Sequence, residues 1–160
     1  MTQSSTGAPE GAPQISTTIF YRDPRAAIGW LEKAFGFEPR VIVDGPDGGI
    51  AHSELVFGTG IVGVAGEAHG GPMAGARSPA SLDSHYTQSL YVFVPDVEAH
   101  CARARAAGAK IVREPETAHY GDRIYGARDP EGHLWFFGQR VDTDAWNAAN
   151  AAHLVDRRRS

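Results

Sequence analysis

His52 and Glu54, in the run AHSELVF, are the residues of this chain best suited to do chemistry. Two positions apart on a strand, they share one face. A carboxylate in apolar surroundings has its pKa raised, so Glu54 could act as a general base near neutral pH with His52 setting its charge. Arg123 and Tyr120, in HYGDRIY, are candidates to stabilise an oxyanion, although Arg123 could instead pair with Asp122 or reach Glu54. His52 and Glu54 could also begin a metal site, but no third donor lies close by, which favours a hydrogen-bonded polar pair. Other imidazoles, among them His69, His85, His119 and His133, are scattered. Cys101, among the alanines of VEAHCARARAAG, reads as a small buried residue rather than a catalytic thiol.

Composition excludes several classes. With 160 residues and 42% hydrophobic content, the chain suits one globular domain or two small modules sharing a core. A net charge of −4 leaves no electrostatic footprint for nucleic acid. The one basic run, Arg157-Arg158-Arg159, reads as a solvated tail. The opening MTQSSTGAPEGAP lacks the pattern of a secretory signal, and nothing approaches the ~18 apolar residues of a spanning helix, so no membrane partner is expected. A lone cysteine rules out intramolecular disulfides and fits the cytoplasm.

These residues are positioned by a repeat. IFYRDPRAAIGWLEKAFGF and VFVPDVEAHCARARAAGAK share a β-rich run, an Asp, about twelve helix-compatible residues and a Gly. Asp23 and Asp96 lie 73 positions apart; Gly36 and Gly108, and Gly60 and Gly132, lie 72 apart. Each half reads as βαβββ. In the first, Asp23 is a helix N-cap, Pro24 the first helical residue and Gly36 the stop, with Ile28, Leu31 and Phe35 on one face. The expected organisation is a disordered tail over 1–13, a module over 14–66, a linker loop over 67–86, a second module over 87–140, and a C-terminal helix with the basic tail over 141–160. Trp146 and Leu154 are expected to dock that helix. The linker could be a lid or a tether.

The two βαβββ halves, HSELVFG, and above all HYGDRIYGARDPEGHLWFF resemble the vicinal oxygen chelate superfamily of glyoxalases, bleomycin resistance proteins and dioxygenases, in a branch often labelled PhnB-like. The resemblance covers nearly all of 14–140. It implies an α+β fold in which two curved sheets form a cup with ligand or metal inside, and homodimers are common among such proteins. Metal-dependent members carry ligands on the first and last strands of each module, at positions matching Ser16, Val64, Ser89 and Phe136 here. None is a usual divalent-metal donor, and a slip of one residue substitutes others that also fail, so no metal or cofactor is expected.

Strand alternation puts Ser16, Thr18, Phe20, Ser89, Tyr91 and Phe93 on the cup side. If GTG and PEG are three-residue hairpin loops, His52, Glu54, Val62, Leu134 and Phe136 join them. Tyr120 and Tyr125 could rim the pocket. The leading expectation is a metal-independent binder of an apolar or aromatic small molecule, whose rings stack on Tyr91, Phe93 and Phe136. Alternatives are a lyase, isomerase or cyclase with Glu54 as base, a metal-dependent glyoxalase or dioxygenase, or an interaction module without a cavity.

Overall fold

The structure is a computed structural model and describes residues 7–9 and 11–154. The Arg157–Arg159 tail and part of the expected N-terminal tail lie outside the described residues. Two βαβββ modules follow one another. The first comprises β1 (Thr17–Tyr21), α1 (Pro24–Phe35), β2 (Glu38–Asp44), β3 (Ile50–Phe57) and β4 (Gly60–Gly66). The second comprises β5 (Ser89–Phe93), α2 (Val97–Ala106), β6 (Lys110–Thr117), β7 (Asp122–Arg128) and β8 (Leu134–Arg140), and α3 (Thr143–Asn150) follows. The sheets have the same order, β1-β4-β3-β2 and β5-β8-β7-β6, with the first strand parallel to the last and the other neighbours antiparallel.

Local chemistry explains the helices. The Asp23 carboxylate accepts the Ala26 N–H at 2.9 Å, Pro24 presets the first turn, and Gly36 ends α1 in the left-handed region with φ 79°. Asp96 caps α2 in the same way, accepting the Ala99 N–H at 3.0 Å. Ile28, Leu31 and Phe35 are buried, as are Val97, Cys101 and Ala104 on α2. Burial raises the Cys101 thiol pKa, which suits packing rather than nucleophilic chemistry.

The hairpin between β3 and β4 departs from the expected three-residue loop. Phe57 pairs with Gly60 across a two-residue turn, Gly58-Thr59, with Gly58 at φ 56°, as a turn with glycine first requires. The register therefore moves by one. Val62 and Val64 face the helix beside Leu55 and Ile19 and are buried, while Ile61, Gly63 and Ala65 take the opposite face.

One hydrophobic cluster spans both modules, with Phe35 and Phe37 of the first against Trp135 of the second at 5.3 and 5.5 Å between ring centroids. Hydrogen bonds fix this packing. The buried Asp129 carboxylate accepts the Tyr21 hydroxyl (2.7 Å), the Trp135 indole N–H (3.1 Å) and the backbone N–H groups of Glu131 and His133 (3.0 Å each). From the same turn, Glu131 accepts the N–H groups of Arg22 and Asp23 at the entry to α1, and His133 bonds the Phe20 carbonyl at 2.8 Å. The helices also satisfy each other's ends. Arg103 donates to the carbonyls of Lys33 and Glu32 at 2.8 and 2.7 Å, and the Trp30 indole donates to the Ala107 carbonyl at 2.9 Å.

His100 completes this contact, with Nδ1 2.6 Å from the Tyr125 hydroxyl and Nε2 2.9 Å from the Phe35 carbonyl. Tyr125 is consequently a buried core residue, not part of a pocket rim. Helix α3 is anchored through Gly121, whose carbonyl accepts the N–H groups of Val141 and Asp142, and whose φ of 87° and lack of Cβ allow the chain to pass. Trp146 packs 4.6 Å from the Arg140 guanidinium, whereas Leu154, expected to dock the helix, is 63% exposed among the described residues.

Asp129→Ala is expected to lower stability by about 3 kcal/mol, because buried donors in both modules lose their acceptor. A urea unfolding midpoint that does not move would contradict that role. His100 has its pKa lowered from 6.5, mainly by burial and opposed by its bond to Phe35. The unfolded chain then takes up the proton first, so stability is full above pH 6.5 and declines as pH falls through 6.5 toward the folded-state value. His100→Gln should flatten the urea midpoint between pH 7.5 and 5.5 relative to wild type.

Candidate functional site

Each sheet has one face covered by its helix and one face left open. On the first module, the open face and the loop after β4 line a cavity of about 870 Å³ bordered by Ser16, Thr18, Phe20, His52, Glu54 and Met73. Most of the first-module residues expected to contact ligand thus meet at one place. Ser89, Tyr91, Phe93 and Phe136 do not border it; they lie on the second module's open face. Val62 is removed from the lining by the register change.

The polar centre of the first face is a row of three side chains. Glu54 accepts from Arg40, with Nε to Oε2 at 2.9 Å and a second bond from the same guanidinium, and Glu54 Oε1 lies 3.3 Å from His52 Nε2. Arg40 reaches Glu54 because it is the extra residue of a β-bulge. Pro39 pairs with Leu55 and Val41 with Glu54, leaving Arg40 between them. The Arg40 bonds, then the His52 contact, hold the Glu54 carboxyl below the usual carboxylate range. The expected raised pKa is therefore reversed: the carboxylate is ion-paired and only partly covered, not isolated in an apolar cup. Arg40 escaped notice in the sequence, although a proline inside a strand run is a bulge signal.

The second face is aromatic. Tyr91 and Phe93 are 46% and 56% exposed, edge to face at 5.2 Å. Tyr91 pairs in register with Phe136, and Gly126 pairs with Phe136 from the other side. Two glycines make room for these rings. The Phe136 ring lies over Gly126, where a Cβ would come within 3.0 Å of it, and the Tyr91 phenol lies over Gly138, where a Cβ would collide with it. Beneath Tyr91, the buried Asp122 carboxylate pairs with Arg140 and faces the Tyr91 hydroxyl at 3.4 Å. Burial, then the Asp122 charge, raises the Tyr91 pKa to about 12. Tyr120, half-buried, adds to that shift. Asp122 and Arg140 were not anticipated as a pair: their partnership depends on β7–β8 pairing across 18 positions.

Arg123 leaves the site. It points to the helix side, where it forms an ion pair with Glu98 in the first turn of α2 and also bonds Thr117. Its neighbour Asp122 is taken by Arg140, and strand alternation sends the two side chains to opposite faces.

The family resemblance implies metal donors on the first and last strands of each module, and the register corrects one of the four expected positions, Val64, which faces the helix side. The β4 residue equivalent to Phe136 is Gly63, since Gly63 pairs with Thr18 as Phe136 pairs with Tyr91. Ser16, Gly63, Ser89 and Phe136 include no imidazole or carboxylate, so these residues do not fit a divalent metal. No group of three or more His, Cys, Asp or Glu side chains suited to a metal occurs among the described residues.

Residues 14–137 match the Glyoxalase/Bleomycin resistance protein/Dioxygenase superfamily, and the chain belongs to that family. TioX from Micromonospora sp. ML1 is 35% identical, with a TM-score of 0.64 over 79% of this chain and 98% of TioX. The uncharacterized protein Rv0887c of Mycobacterium tuberculosis is 33% identical over 141 residues, 87% of this chain and 81% of that protein. The fold is shared with FosX, the fosfomycin resistance protein of Listeria monocytogenes crystallised with Mn(II) and sulfate, at 12% identity and a TM-score of 0.61 over 84% of this chain and 94% of FosX. No helix among the described residues is long and apolar enough to cross a membrane.

The clamp on Glu54 can be read directly. An NMR titration should place its pKa below 4.5, and Arg40→Ala should bring it back up. An unchanged value in Arg40→Ala would mean that the bulge does not deliver the guanidinium.

Proposed function

We propose that this chain is a metal-independent small-molecule binding protein of the glyoxalase/bleomycin resistance type, holding an apolar or aromatic ligand. The observation that carries this reading is the Phe136 ring lying over Gly126, an aromatic side chain at a position where metal-dependent proteins of the family carry a donor. The exposed rings of Tyr91 and Phe93 extend it, and such surfaces bind planar rings by stacking. In this reading the protein is a cytoplasmic homodimer, with a second copy helping to cover the open faces.

The Glu54 general-base reading loses its motive, because a carboxylate fixed in its ionised form by Arg40 is a weak proton acceptor. Metal-dependent chemistry lacks the donors it would need at the four positions.

Binding of planar aromatic compounds, followed by calorimetry in the absence of divalent metal, is expected to saturate at one ligand per site. Phe136→Ala should weaken it at least about fivefold, the scale of a lost ring–ring contact with its buried area. Binding that needs added metal, or that ignores the Phe136 change, would overturn the proposal. Sedimentation equilibrium should return two chains per particle.

A further inference from the structure

The Arg40–Glu54–His52 row sets which of its members can donate and which accept, and therefore what a ligand can bring to a neutral His52. Arg40 is a donor only and keeps its charge, so Glu54, held by two of its bonds, stays ionised and can only accept. The 3.3 Å contact from Glu54 Oε1 to His52 Nε2 is then a hydrogen bond only if Nε2 carries the hydrogen. A neutral imidazole has one N–H, so its lone pair lies on Nδ1.

Nδ1 of His52 has no hydrogen-bond partner among the described residues, and His52 borders the 870 Å³ cavity. Of the other carboxylate and imidazole acceptors around that cavity, Glu67 takes the Ser78 N–H at 2.8 Å and His69 Nδ1 faces Arg77 at 3.1 Å, while Ser16 and Thr18 add hydroxyls to its lining. The cavity also offers apolar surface from Phe20, Ile61 and Met73.

Resting on the small-molecule reading above, with the aromatic open face of a second copy covering the first-module cavity, we propose that His52 presents Nδ1 as an acceptor in that cavity, with Glu54 as its positioning residue, and that the ligand is a planar ring carrying an acidic hydroxyl, a phenol. A phenol keeps its proton at neutral pH, its ordinary pKa being about 10, so it donates to Nδ1 while its ring covers the apolar wall. An aryl ether of the same shape fills the wall but leaves Nδ1 unpaired, and a site built around a hydroxyl discriminates against such an analogue.

The test compares 2-naphthol with 2-methoxynaphthalene by fluorescence titration at neutral pH. Wild type is expected to bind the naphthol about tenfold more tightly, the scale of one hydrogen bond. His52→Leu should bring the two within about twofold, and His52→Gln, which restores a carbonyl acceptor, should recover part of the preference. Glu54→Ala should lower the preference while keeping naphthalene binding, and nitrogen-15 spectra of His52 should show the Nε2–H tautomer giving way to a mixture. Equal binding of both compounds by wild type, or a preference that survives in His52→Leu, overturns the phenol assignment and leaves the small-molecule reading standing. Failure of both compounds to bind saturably overturns that reading and this assignment with it.

Discussion

The rest of this structure depends on a buried carboxylate. Asp129 sits in a turn of the second module, yet one of its four donors is the Tyr21 hydroxyl of the first. A charge in such a place is costly unless every lone pair is used. The arrangement therefore tolerates only one way of docking the modules. Glu131 and His133, two and four residues on, extend the same constraint to the entry of α1 and the end of β1. At the other side of the contact, Arg103, His100 and Trp30 satisfy helix-end carbonyls across the module boundary.

Once the helix faces are merged in one core, each sheet has a single face left for function, and the two faces differ in chemistry. The first carries hydroxyls and the Arg40–Glu54–His52 row; the second carries Tyr91, Phe93 and Phe136. Glycine placement accounts for the second: Gly126 and Gly138 leave the backbone bare, so large rings can lie along the sheet instead of standing off it. The DPEGH turn that opens β8 thus serves docking on one side, while the strand it starts serves the open face on the other.

Much of the fold was legible because its signals are local. Asp23, Pro24 and Gly36 act as caps in the helix they delimit, and the spacing of Asp and Gly marks carried the repeat. The second module's open face could be read from strand parity, since Tyr91, Gly126 and Phe136 keep the expected register. In the first module one turn decided the matter. GTG admits a two- or a three-residue loop, and choosing Gly58-Thr59 turns Val62 and Val64 inward. Arg40 was hidden by a bulge, and Arg123 by competition: Glu98, 25 positions away, offers an ion pair on the face to which parity sends it. Long-range choices of partner have no counterpart in local pattern.

We propose that aromatic surface replaces metal coordination in this member of the family. Elemental analysis of untagged protein, read alongside its native mass spectrum, tests it most directly. The expected result is no divalent metal in stoichiometric amount and an organic ligand seated with the metal-free protein. One tightly held divalent ion per chain would contradict it, and would require donors other than Ser16, Gly63, Ser89 and Phe136.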